Sequence, residues 1–209
     1  KDFHMAFEYY MMLRADDGLL LANFAPAAGG GGERSLGGAL CDAVGRLMLD
    51  ANCQGNLAGY MSKHGERIEK EKALCWKYMT LPQIKALLHR TAQVAEERGD
   101  ASRAVDLYIL AEAWESVVVQ VLLHLSRLLT VQPSEDPDRE RWWTTAQVLR
   151  DGHLRRNEVR AQVRQEVCEA FDIVHGLYVF THLTWFDKQY SAALDVVQVA
   201  PEGPHLGVE

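Results

Sequence analysis

The sequence is poor in residues that interrupt or cross-link a chain: it has six prolines and four cysteines in 209 residues. With so few prolines, and long stretches free of turn signals, disorder is expected only in short loops. The cysteines, Cys41, Cys53, Cys75 and Cys168, include no C-x2-C pair. Their spacing suggests neither a zinc site nor a disulfide framework. They are expected to be reduced and mostly buried, in a cytosolic or nuclear compartment. No signal or transit peptide is expected after Lys1. Basic charge is also scarce, with 22 Lys and Arg against 29 Asp and Glu and a net charge of -7. That disfavours a general nucleic-acid binder, which must neutralise phosphates with clustered cations.

Long apolar runs are missing too. The two longest, "VVVQVLLHLSRLL" at 117–129 and "IVHGLYVFTHLTWF" at 173–186, fall short of the ~18 residues of a membrane span, and both contain histidine. They read as buried helices, and no direct membrane span is expected. Catalytic signatures are absent: there is no G-x-x-x-x-G-K-[ST], no G-x-S-x-G and no H-E-x-x-H. The glycine run Gly29 to Gly32 lacks the flanking strand and helix of a nucleotide loop and reads as a linker. His175 and His182 lie two turns apart on one helix face, too far to share a metal unaided, and read as core or groove residues. The chain is expected to be no enzyme and to carry no cofactor.

Helical signals are abundant. In "TLPQIKALLHRTAQVAEERG", Thr80 and Gln83 form a capping-box pair and Pro82 suits the first turn. Ile84, Leu87, Leu88, Thr91, Ala92, Val94 and Ala95 make an apolar stripe at helical spacing. Gly99 fits the position just past a helix end, and Asp100 fits the N-cap of the next helix, "ASRAVDLYILAEA". Two antiparallel helices joined by almost no loop follow. A further helix fits 114–129, a long polar helix fits 139–165 with a break or bend near Gly152, and an all-round apolar helix fits 167–186, set between neighbours on several sides. No segment alternates as a strand does, so no sheet is expected.

One phrase recurs. Asp2, Ala6, Glu8 and Tyr10 align with Asp100, Ala104, Asp106 and Tyr108, and Gln189, Ala193, Asp195 and Val197 form a third copy. A small residue four positions after an N-cap lets a helix approach its predecessor closely. The copies lie too far apart for single repeats of ~34–47 residues, so they fit alternate hairpins of an irregular array. The expected fold is all-α, an irregular α-solenoid of stacked antiparallel helical hairpins. Residues 1–209 would be part of one solenoid domain, with flexible loops near 25–38 and 131–139.

Few residues suggest a partner surface. Arg156, Arg160 and Arg164 form an i, i+4, i+8 stripe that reads as a solvated face or a dock for an acidic segment. Trp142 and Trp143 sit about 100° apart if helical, so one should be buried and the other partly exposed. Trp143, Trp185, Arg156 and Arg160 are the candidate partner-binding residues.

With "AFEYYMMLR", "LAGYMSKHGERI", "IKALLHRTAQVAEERGDASRAVDLYILA", "VVVQVLLHLSRLL" and "LTWFDKQYSAALDVVQVAPEGP" in order, the chain resembles the C-terminal part of the nucleoporin-interacting component family. That family is the α-solenoid linker scaffold of the nuclear pore inner ring. The resemblance implies a structural protein of the nuclear envelope that supports nucleocytoplasmic transport. It also implies partners among other nucleoporins: large inner-ring solenoids, a coiled-coil channel trimer, and the amphipathic helix of a membrane-associated linker nucleoporin. A glycine common in the family's last hairpin turn is replaced here around Lys188 and Gln189. A tetratricopeptide-like adaptor that binds peptides in a groove is the alternative reading of the same helical pattern.

Overall fold

The computed structural model describes residues 5–8, 36–51, 58–61, 67–68, 74–131, 138–185 and 188–198. The chain divides into two compact units, Lys1–Val117 and Val118–Glu209.

In the first unit, residues 5–8 are helical and Phe7 is fully buried, edge-on to Tyr78 at 6.2 Å. The main helices are α1 (Leu36–Ala51), α2 (Cys75–Tyr78), α3 (Leu81–Glu97), α4 (Ala101–Ala111) and the start of α5 (Trp114–Thr130). The predicted start of α3 is present: Thr80 N–H donates to Gln83 Oε1 at 2.9 Å, with Pro82 in the first turn. All seven residues of the predicted stripe, Ile84 to Ala95, are buried. Each large aliphatic among them contributes about 1.5–3 kcal/mol by leaving water.

Gly99 ends α3 with φ +79°, where L side chains are strained. The turn is a Schellman closure: Asp100 N–H donates to Ala95 O and Gly99 N–H to Glu96 O, both at 2.9 Å. The Asp100 carboxylate then caps α4 by accepting from Arg103 N–H at 3.1 Å. Tyr108 O–H donates to Glu96 at 2.9 Å and Lys85 pairs with Glu112, so α3 and α4 run antiparallel. Ala104 is fully buried, as its position in the recurring phrase required.

On its other side α3 packs on α1. Arg90 pairs with Asp42 at 2.9 Å and Arg98 with Asp50 at 2.8 Å, so these two helices run parallel, as the first helices of successive hairpin layers do. Gly45 permits the contact: a Cβ there would stand 2.7 Å from Thr91 Oγ1, which already donates to Leu87 O at 2.8 Å.

The expectation of no sheet needs one correction. Tyr60–Met61 (β1) and Arg67–Ile68 (β2) pair antiparallel. Two residues per strand are too few to show the alternation by which strands are recognised. The predicted loop near 25–38 lies outside the described residues up to 35, and 36–38 are already helical.

The second unit holds the rest of α5, then α6 (Arg139–Val148), α7 (Asn157–Arg160), α8 (Gln165–Trp185) and α9 (Tyr190–Gln198). Of the predicted loop near 131–139, residues 132–137 lie outside the described residues and Arg139 is already helical. Arg139 is only 7% exposed and is the buried cation among the described residues of this unit. Its Nη2 donates to the carbonyls of Leu128 (2.8 Å) and Val131 (2.7 Å), and its guanidinium lies 5.6 Å over the Tyr178 ring. It therefore satisfies carbonyls at the C-terminus of α5, the negative end of the helix dipole.

The polar helix expected over 139–165 with a break or bend near Gly152 is broken there, and it is broken a second time after Arg160. After α6 the chain makes a π turn, Leu149–His153, closed by Leu154 N–H donating to Leu149 O at 2.8 Å. Gly152 sits inside it, where a bend was expected. A single short helix, α7, then ends in tight turns in which Gln162 N–H reaches Val159 O and Val163 N–H reaches Arg160 O.

The unit closes with a second hairpin, in which α9 packs on α8. Lys188 occupies its turn at φ +53°, and Gln189 N–H donates to Leu183 O at 2.9 Å. Ala193 is fully buried, like Ala104.

Candidate functional site

Trp142 and Trp143 divide as consecutive helical positions should. Trp142 is buried, stacked on His124 at 3.9 Å with the rings nearly parallel. Trp143 is half-buried and faces three rings of α8: Tyr178 at 5.1 Å, His175 at 5.2 Å and His182 at 5.9 Å. His175 and His182, two turns apart on α8, thus share one indole. Each such ring contact is worth about 0.5–1.5 kcal/mol beyond area burial, so Trp143 fastens α6 to α8.

His175 is 3% exposed. Arg150 Nη1 approaches its Nδ1 at 3.4 Å, and its Nε2 is buried with no hydrogen-bond partner. Burial, reinforced by the Arg150 charge, lowers its pKa to about 4, so the ring is neutral near pH 7. His153, in the π turn, is also buried, with its pKa lowered first by desolvation and then by Arg156, whose Nη2 lies 3.0 Å from its Nδ1.

The predicted arginine stripe is not a helix face. Arg156 precedes α7, Arg160 ends it, and Arg164 stands before α8. The i, i+4, i+8 argument assumed one continuous helix, and the turns at 161–163 remove it. Arg156 is half-buried against His153, whereas Arg160 is exposed and reaches Asp172 of α8 at 3.7 Å. Arg160 also lines a shallow cleft of about 360 Å³ with Val163, Gln165, Cys168 and Glu169. Cys75 and Cys168 are buried free thiols, in line with the expectation for the cysteines.

Trp185 is 53% exposed at the end of α8. It is one of several large apolar side chains left open on the second hairpin. Ile173 is 61% exposed and Leu177 49% on α8, and Tyr190 is 63% and Leu194 59% on α9. The expectation that 167–186 is enclosed on several sides is therefore corrected. Cys168, Phe171, His175 and Tyr178 face inward, but the opposite face of α8 is open. An all-round apolar composition could not reveal which side lacks a neighbour.

Among the described residues, no group of His, Cys, Asp and Glu could hold a metal ion, and no helix is long and apolar enough to cross a membrane. What the geometry presents is an antiparallel helical hairpin in each unit, α3–α4 in the first and α8–α9 in the second, the latter with an open apolar face. The chain matches the Nup93/Nic96 family over residues 1–201 and belongs to that family. The family is a component of the nuclear pore complex, which is this chain's place in the cell. Among solved structures it is similar to Nic96 SOL of Chaetomium thermophilum, with a TM-score of 0.64 and 19% identity. That likeness covers 95% of this chain and 33% of the other, so this chain spans about a third of the solved one. At this identity the likeness concerns the fold, and it bears out the all-α solenoid. No relative is found among the curated proteins.

Proposed function

We propose that this chain is a non-enzymatic structural segment of the nuclear pore inner ring, which holds other nucleoporins by taking their amphipathic helices onto its apolar surface. Family membership over residues 1–201 supports the scaffold role. The single observation that carries the binding mode is the set of large apolar side chains left open on α8 and α9, with Trp185 at its C-terminal end. Aromatic side chains with this exposure are the residues that anchor interfaces, and an amphipathic helix laid against such a surface is a recurring recognition mode. Trp185 is the first candidate anchor. Trp143 packs against α8 from within the unit, Arg160, paired with Asp172 of α8, is the rim charge, and Arg156 is the remaining candidate. The partners in this reading are large inner-ring solenoids and a linker nucleoporin, and the consequence is support of pore assembly and transport. Residues 1–209 act as part of one solenoid domain, so calorimetry should give one cooperative transition, and two independent transitions would count against that.

The test is recovery of nucleoporins by the immobilised chain from nuclear-envelope extract, with Trp185→Glu as control. The variant should keep its helical circular dichroism and lose the nucleoporins. Recovery of chaperones or signalling proteins in place of nucleoporins would favour the tetratricopeptide-like adaptor.

A further inference from the structure

The open face of α8 is not uniformly apolar. Residues three and four apart share a helix face, and along the exposed one the order is Glu166, Glu169, Ile173, Leu177, all solvent-exposed. An acidic end thus leads into an apolar end over three turns. Beside it lies Asp172, held only loosely by Arg160 at 3.7 Å. Glu169 accepts a hydrogen bond from Gln165 at 2.7 Å, which orients the carboxylate without neutralising it. Among the described residues, no cation pairs with Glu166 or Glu169.

This order of charge decides between occupants. A second copy meeting this face antiparallel about a two-fold axis would set the carboxylates of each copy against the apolar end of the other, burying charge with no partner, which costs affinity. An anionic membrane or a nucleic acid would be repelled by the same carboxylates. A helix with two apolar residues at i, i+4 and lysine or arginine one to two turns away would satisfy both ends at once.

From this juxtaposition we infer that α8 docks a basic amphipathic helix, with Ile173 and Leu177 as the apolar seat and Glu166 and Glu169 fixing its charge and direction. The inference rests on the reading of the chain as a helix-binding scaffold, and it adds the sign of the partner and the face that reads it. Apolar contact holds the complex, and the carboxylates set which helices are accepted.

Two short helical peptides that share leucines at i, i+4 test this. One carries lysines one and two turns away, and the other carries glutamates at the same positions. Their affinities for the whole chain are read by fluorescence anisotropy. The lysine peptide should bind at least about tenfold tighter at low salt, and the gap should narrow as salt screens the exposed charges. Ile173→Asp, at a site exposed enough to tolerate it, should abolish binding with circular dichroism unchanged. Glu166→Lys with Glu169→Lys should reverse the preference. Equal affinity for both peptides, lost in Ile173→Asp, would overturn the charge rule and leave helix docking standing. Binding that survives Ile173→Asp, or binding of neither peptide, would overturn the site itself. Recovery of nucleoporins tests the scaffold reading separately. Self-association of the chain that Ile173→Asp abolishes would assign the face to a second copy.

Discussion

The two hairpins, α3–α4 and α8–α9, share a local design and differ in what surrounds them. In each, a residue in the left-handed region turns the chain, at Gly99 and at Lys188. In each, the first backbone bond of the returning helix runs from a buried alanine to the residue after the turn: Ala104 N–H to Asp100 O and Ala193 N–H to Gln189 O, both at 3.0 Å. Yet α4 buries Val105, Leu107, Leu110 and Ala111, whereas α9 exposes Tyr190 and Leu194. Capping and small residues therefore specify the hairpin, and its neighbours specify which face stays wet.

The largest expected contrast is between equivalent truncations. Leu107→Ala should cost about 2–5 kcal/mol, because it removes a fully buried side chain. Leu194→Ala should stay within about 0.5 kcal/mol, as exposed positions do. Urea unfolding of both variants measures this, and similar losses would mean that Leu194 is covered.

Acid should act through the second unit, where the two buried histidines among the described residues, His153 and His175, lie. The folded pKa of His175, about 4, is below its ordinary value of 6.5. The unfolded chain therefore takes up the proton first as pH falls. Stability is unaffected above about pH 6.5, declines between 6.5 and 4, and levels off below 4, with a total loss of about 3 kcal/mol from this ring. His175→Phe should flatten the pH dependence of the unfolding free energy by about that amount. Parallel curves for the two proteins would show that His175 is protonated at little cost in the folded state.

Ala104→Leu and Ala193→Leu should each overpack a close contact and cost about 1–3 kcal/mol. The Ala104 variant should suffer more, because α4 has fewer open sides than α9. Unchanged thermal midpoints would mean that neither helix contact is tight.

The smallest effect separates the two turns. A non-glycine residue in the left-handed region costs about 1–2 kcal/mol. Lys188→Gly should therefore raise stability by up to about 1 kcal/mol, and Gly99→Ala should lower it by a similar amount. No atom crowds a Cβ at Gly99, so backbone strain is the only penalty there. Chemical denaturation of both variants would show opposite signs.

Much of this was legible in order along the chain. Thr80, Pro82, Gln83, Gly99 and Asp100 announce α3 and its turn because capping is local chemistry, whereas the second turn, around Lys188 and Gln189, was marked only by the family resemblance and its missing glycine. The 100° rule separates Trp142 from Trp143. The arginine stripe failed because it needed a helix that the π turn at Leu149–His153 and the turns after α7 break up. Gly152 marks a break without revealing its form. The role of Arg139 was hidden because its acceptors are backbone carbonyls of Leu128 and Val131, which carry no side-chain signature. The composition of 173–186 implies more apolar surface than two neighbours need cover, but an apolar run has no polar side to mark which face of α8 stays open.

The contact of Gly45 with Thr91 also orders events in time. The turn between α3 and α4 needs only Gly99 and its neighbours, whereas α1 meets α3 through pairs 48 residues apart in the chain. Closing the longer loop costs more entropy before any contact rewards it. The hairpin is therefore the early structure and the docking of α1 the late one. Gly45→Ala, which forces its methyl group against Thr91, should leave the refolding rate nearly unchanged and speed unfolding. Stopped-flow kinetics would register α1 as the layer that leaves first and arrives last.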